Sequence, residues 1–124
     1  MDAERRGGIM MRMPEYTDGY FELGKITEKK VNDFPVEEIK KMGMKIWYRE
    51  ISVFDRLRYE FEQSNKEITM KIRIPRYKEI DSTCVCIIDG NVHRVYNAAH
   101  VESKDGFRET ELTLTRPGEE LVIS

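Results

Sequence analysis

From Ile68 to Pro75 the chain alternates without a break. Ile68, Met70, Ile72 and Ile74 fall on one side of an extended backbone, and Thr69, Lys71 and Arg73 fall on the other. A period of two with one apolar face marks a strand buried on one side only. A helix would scatter these apolar residues around its axis, so the stretch commits the chain to at least one half-buried sheet. The run Cys84, Val85, Cys86, Ile87, Ile88 is apolar throughout. It reads as a strand covered on both faces, either central to the sheet or covered by a partner.

The punctuation around these segments is that of short antiparallel strands. Asp89-Gly90-Asn91 closes a tight hairpin with residues 92–96. A loop follows at Ser103-Lys104-Asp105-Gly106. Thr110, Leu112 and Leu114 then alternate with Glu111, Thr113 and Thr115 until Pro117-Gly118 ends the strand. Upstream, Asp18-Gly19 is a turn signal before a first strand over residues 20–27. Residues 46–51, rich in aromatic and branched side chains, give a second strand, with Trp47 expected as a core anchor. Six or seven short strands in about a hundred residues predict an all-β fold, a sandwich or a small barrel, and the barrel is preferred because closure removes exposed edges.

Residues 52–63 fit two patterns. Val53, Leu57 and Phe61 fall at helical spacing with Ser52 and Asp55 placed as a cap, while Leu57, Tyr59 and Phe61 also alternate with charged residues. Because the alternation continues across Gln63-Ser64-Asn65-Lys66, the stretch is read as a hairpin, with at most one helical turn at residues 52–56.

Three segments depart from this scaffold. Residues 1–17 hold Gly7-Gly8, Pro14 and four methionines with no periodicity, which predicts a flexible N-terminal arm or an arm that orders on a neighbouring subunit. Residues 28–45 form a long polar connection, with room for a short helix between Pro35 and Gly43. Such a connection is either functional or a surface excursion. Residues 118–124 form a tail in which Leu121, Val122 and Ile123 are apolar. The tail would close the barrel or add to a neighbour's sheet edge. The barrel domain proper spans residues 18–117.

Composition removes several functions. The 21 basic and 23 acidic residues nearly cancel, which argues against a tight, sequence-independent grip on nucleic acid. No segment approaches the apolar length of a membrane span, and Ile9-Met10-Met11 after Arg5-Arg6 is too short for a signal sequence, so the protein is expected in the cytoplasm where it is made. Cys84 and Cys86 face the same way in one strand and read as small apolar residues. His93 and His100 are the only histidines, and no second Cys pair exists to complete a metal site, so neither a metal nor a cofactor is expected. No nucleophile elbow or glycine-rich phosphate loop is present. The chain does not read as an enzyme.

One stripe gives an alternative. Lys71, Arg73, Arg76 and Lys78 with Tyr77 line one side of the Ile68 strand and its extension, as in a small β-barrel module that binds single-stranded nucleic acid. Glu67, Glu79 and Asp81 flank them.

The order of these segments resembles a known family. Strand, long polar connection, aromatic strand, then Lys71-Ile72-Arg73-Ile74-Pro75-Arg76-Tyr77, Asp89-Gly90-Asn91-Val92-His93-Arg94-Val95-Tyr96-Asn97 and Gly106-Phe107-Arg108 leading into Leu112-Thr113-Leu114 resembles the phage head-closure proteins. These are also called stopper or head–tail joining proteins, of siphophages and Gram-positive prophages. The resemblance covers residues 18–117. It implies a structural virion protein, assembled in the host bacterial cytoplasm as a homo-oligomeric ring of six- or twelve-fold symmetry. Such a ring sits beneath the portal and adaptor, meets tail-completion or tail-tube proteins, and surrounds a channel for packaged double-stranded DNA. On that reading the element of residues 28–45 faces the channel, with Phe34, Val36, Glu37, Glu38, Ile39, Lys40 and Lys41 as candidates. Leu121, Val122 and Ile123 are candidate subunit contacts.

Overall fold

The computed structural model describes residues 15–64, 66–117 and, for the backbone, 122–123. Seven strands and one helix follow in order: β1 (Gly19–Val31), β2 (Phe34–Ile51), α1 (Asp55–Gln63), β3 (Ile68–Pro75), β4 (Cys84–Ile88), β5 (Asn91–Glu102), β6 (Arg108–Thr115) and β7 (Val122–Ile123). The sheet runs β1-β4-β5-β6-β3-β2, and β2 returns to β1, so six antiparallel strands close a ring. β7 lies parallel to β2, pairing Glu38 with Val122 and Ile39 with Ile123. The fold is the all-β barrel expected from the alternation.

The inside is filled from every strand of the ring. Phe21, Leu23, Tyr48, Ile72, Ile74, Cys84, Cys86, Ile88, Val95, Leu112 and Leu114 form one buried cluster, joined by Ile80 from the β3–β4 connection. The alternation of β3 thus points inward as the sequence predicts. β4 is covered on both faces. Cys84, Cys86 and Ile88 face the barrel core, while Val85 and Ile87 pack outside it with Ile39 and half-buried Ile26 and Val92.

Gly24 makes the second packing possible. A Cβ there would stand 2.7 Å from Ile39 Cγ2 and 2.9 Å from Val85 Cγ2, closer than carbon atoms tolerate. The missing side chain lets Ile39 close over β1 onto β4. Gly24 also follows a register shift in the β1–β2 pairing, which changes from Glu22 opposite Lys45 to Gly24 opposite Lys41. The extra residues on β2 include Gly43 at φ 70°, a left-handed conformation that costs a residue with a Cβ on the order of 1–2 kcal/mol. A bulge of this kind bends a strand and re-aims the side chains beyond it.

Three expectations need correction. Residues 28–45, read as a long loop with a short helix, are instead paired strand. Asn32 and Asp33, at φ 52° and 67°, make a two-residue turn, and β1 pairs β2 from Val31 opposite Phe34 inward. Asn and Asp accept left-handed geometry better than other residues with side chains, and paired positive φ values match the twist of a hairpin. Pro35 sits opposite Lys30 in this ladder rather than at a helix start. Residues 55–63, read as a hairpin, form α1. Its N-cap is Phe54 with no side-chain cap bond, so the expected Ser52 and Asp55 cap is not used, although Asp55 suits the first turn. No residue of α1 is buried; Phe61 meets Tyr96 edge-on at 4.8 Å, and Arg58 Nη1 donates to the Ile68 carbonyl at 3.1 Å. Trp47, expected in the core, is 55% exposed and leans on Tyr20 at 5.3 Å. It pairs with Tyr20, which alternates with the core residue Phe21, so it lies on the outer face.

Candidate functional site

The strands β1 and β2 are longer than the barrel needs. β1 pairs β4 only from Glu22 to Lys25, and the last tie is Ile26 N–H to the Thr83 carbonyl at 2.8 Å. Beyond it, residues 27–38 continue as a two-stranded ribbon whose described neighbours in the sheet are each other and β7. At about 3.3 Å per residue the ribbon reaches roughly 17 Å past the ring.

The candidate residues of the ribbon are divided by the pleat. Phe34 (71% exposed) and Val36 share a face with Val31 and Lys29, and all four are open to solvent. Glu38 lies on that face too, half-buried, with its carboxylate 4.0 Å from Lys29 Nζ and its carbonyl accepting from the Thr27 hydroxyl at 3.4 Å. Lys40 is exposed beside it in the same alternation. Glu37 and Lys41 lie on the opposite face, Glu37 3.9 Å from Arg94 and Lys41 3.9 Å from Glu22. Ile39, also on that face, is fully buried against Val85 and belongs to the packing, not to an open surface. Of the tail candidates, Leu121 lies outside the described residues, and Val122 and Ile123 supply the backbone of β7. The predicted N-terminal arm lies outside them as well, apart from residues 15–17.

A second constellation stands on the outer face of the β2–β3–β6 wall, built around a carboxylate. Glu109 is 1% exposed. Arg49 approaches it with Nη2 at 2.9 Å from Oε1 and Nε at 3.2 Å from Oε2, a two-pronged pair. Arg73 Nη1 stands 3.5 Å from the same carboxylate and gives its Nε to Glu111 at 2.9 Å, while Lys71 Nζ lies 3.2 Å from Glu111. Tyr16 closes the group by donating its hydroxyl to Glu109 Oε2 at 3.0 Å. Burial, then the hydrogen bond to Glu109, pushes the Tyr16 phenol up to about 12. Glu111 is held below the usual carboxylate range: burial raises it, but the hydrogen bonds from Arg73 and Lys71 outweigh that.

These contacts reassign the basic stripe. Lys71 and Arg73 are engaged by Glu109 and Glu111, and Arg76 Nη2 donates to the Val101 carbonyl at 2.9 Å. Lys71 and Arg73 hold the wall together and Arg76 ties to β5 through Nη2, while the buried Arg76 Nε has no hydrogen-bond partner among the described residues. No local pattern marks this lattice, because Arg49, Arg73 and Glu109 come from three strands and Tyr16 from a point 93 residues before Glu109. Both histidines sit in polar networks: His93 Nδ1 is 2.7 Å from the Thr69 hydroxyl, and His100 Nδ1 is 2.9 Å from the Thr110 hydroxyl. Among the described residues no cluster of three His, Cys, Asp or Glu side chains is placed to hold a metal ion, and no helix is long and apolar enough to cross a membrane.

What the molecule presents is therefore a ribbon with an apolar tip, its root fixed by the Ile39–Val85 packing, and an exposed Tyr20–Trp47 pair with Lys45 Nζ 5.1 Å from the Tyr20 ring. A scan against protein-family models gave no match, and a search of the curated proteins gave none either.

Proposed function

We propose that the protein is a structural component of a phage head–tail connector, a head-closure or stopper subunit that works as a ring around the DNA channel. The observation that carries this reading is the ribbon. A two-stranded hairpin by itself is marginal in water; this one has β7 beside it only at Glu38 and Ile39, and it carries Val31, Phe34 and Val36 exposed at its end. Closure of the other strands removes sheet edges, whereas the ribbon sets new edges and an apolar tip out beyond the core. That is how an element looks when its remaining contacts come from another subunit. The resemblance over residues 18–117 supplies the context: a ring beneath portal and adaptor, with the ribbon reaching toward the channel and the tail surface below. A near-neutral chain suits a conduit that DNA must leave, since a strongly basic lining would retain it.

The test is reconstitution. The purified protein is mixed with a phage portal–adaptor complex, and co-sedimentation is measured. The expected result is incorporation of the native chain and loss of incorporation for the Phe34→Asp, Val36→Asp double variant at unchanged fold. Failure of the native chain to join, or equal incorporation of the variant, sinks the reading. A virion reconstruction with the ribbon tip on the outer rim removes the channel-facing part alone.

A further inference from the structure

Between the end of α1 and the strands β5 and β6 opens a hollow of about 490 Å³. Lys66, Arg94 and Arg116 line it, and Ser64, Ser82 and Thr115 add hydroxyl groups. Among the described lining residues there is no carboxylate. We propose that this hollow is a binding site for a phosphate group, carried either by a small phosphorylated molecule or by a nucleic-acid backbone.

The chemistry of the lining favours an anion. Its three cations are donors only, its hydroxyls can donate as well as accept, and a phosphate oxygen needs donors from several directions. Two of the three cations have loose present partners. Arg94 lies 3.9 Å from Glu37, beyond hydrogen-bond distance. Arg116 is held more firmly, by Glu67 through two bonds at 3.0 Å and 3.1 Å, although both side chains are more than half exposed and water screens the pair. Lys66 Nζ sits 4.7 Å from the centre of the Tyr96 ring, a cation resting on an aromatic face. A dianion in the hollow would draw on Lys66 and Arg94, whose contacts are loose, and would compete with Glu67 for Arg116. The field of these groups reaches the neighbouring strand position: His93 is held below its ordinary pKa by burial first and by the Arg116 charge second.

The framework is fixed from below. Val95 is buried in the barrel core and Thr115 is 6% exposed, so two positions of the lining belong to the rigid wall. Phe61 of α1 packs edge-on against Tyr96, and the Lys66 N–H donates to the Phe61 carbonyl at 2.9 Å, which pins the connection after α1 beside the strands. Arg94 lies on β5 between Val85 of β4 and Thr115 of β6 in the ladder, and Arg116 follows directly at the end of β6. The site does not depend on ring assembly and is present in a single copy of the chain.

The experiment is an amide NMR titration of the full chain with inorganic pyrophosphate, ribose 5-phosphate and a short DNA duplex, each in turn. Expected is saturable movement of the Ser64, Lys66, Arg94 and Arg116 amides with at least one probe. The Lys66→Gln, Arg94→Gln double variant should weaken that probe by about tenfold, and Arg56→Gln, on the exposed face of α1, should leave it unchanged. Saturation by the small phosphates identifies a free ligand, and saturation by the duplex alone identifies a nucleic-acid phosphate. No saturation by any probe, movement confined to residues elsewhere, or a double variant that binds as tightly as the native chain overturns the proposal. The native titration stands without the variants should they fold poorly.

Discussion

The barrel and the ribbon are made from the same two strands, yet they put their apolar residues to opposite uses. At the root of β1, Phe21 and Leu23 are 0% and 5% exposed inside a ring of six strands. A few residues further along the same hairpin, Phe34 is 71% exposed at the tip. The turn from one regime to the other falls at Gly24 and Gly43, where the ladder changes register. Burial on the barrel side supplies stability to the single chain. Exposure on the ribbon side adds little to the stability of the single chain, and on the proposed function it is a surface for a neighbouring subunit. Stability and association should therefore be separable by mutation.

The largest effect should come from the barrel interior. Leu112→Ala removes a fully buried side chain of β6 and should lower unfolding free energy by about 3–4 kcal/mol in a urea titration. A loss below about 1 kcal/mol would mean that the ring does not carry the stability. Next comes the outer wall, where Glu109→Ala leaves Arg49 and Arg73 facing each other without their shared acceptor. Since each arginine keeps about a third of its surface in water, the cost should be about 2 kcal/mol rather than the larger penalty of a fully buried pair. Glu109→Gln, which keeps the shape, should recover part of it.

At the junction, Gly24→Val drives two methyl groups into Ile39 and Val85 and should cost about 1–3 kcal/mol. Its ribbon amides should also exchange faster than the barrel's, because the root packing is what holds the ribbon down. The pH dependence is smaller. The folded Tyr16 phenol lies at about 12 against an ordinary 10, so the folded state favours the neutral form. Its contribution is complete below pH 10 and is lost as pH rises toward about 12. Tyr48 shifts in the same direction, raised mainly by burial, so the native chain must be compared with Tyr16→Phe, which should lose part of the alkaline slope and keep the rest. Smallest of all, Phe34→Ser should change unfolding free energy by less than about 0.5 kcal/mol. If it destabilises the isolated chain as much as a core substitution, the ribbon is part of the fold and the contrast collapses.

Legibility in the sequence followed the same division. β3 alternates because one of its faces meets the core and the other meets Glu109 and Glu111, so its pattern could be read from eight residues. β4 carries apolar residues on both faces because Ile39 returns over Gly24 to cover the outer one, and the pattern announced burial without naming the cover. The ribbon was hidden because a strand pair free of a core need not alternate: Lys29, Lys30 and Glu37 resemble a solvated loop, and Pro35 with Gly43 imitates helix punctuation. The one local sign was Asn32-Asp33, two adjacent residues tolerant of positive φ. For α1 the helical spacing of Leu57 and Phe61 was present but competed with an alternation of similar quality, and a helix that buries no residue leaves weak evidence of its period. The Glu109 lattice had no local sign at all, because it is assembled from distant strands.

Cys84 and Cys86 are 3% and 0% exposed on the inner face of β4. Burial first, and the neighbouring Cys84 second, pushes the Cys86 thiol far above its ordinary range, so the reactive thiolate does not form while the wall is shut. A small alkylating reagent must wait for β4 to part from β1 or β5. Its rate of incorporation is then a clock for breathing of the protein, read from native residues without an added label. Docking that clamps β1 should slow the clock, and docking elsewhere should leave it running at the speed of the free chain.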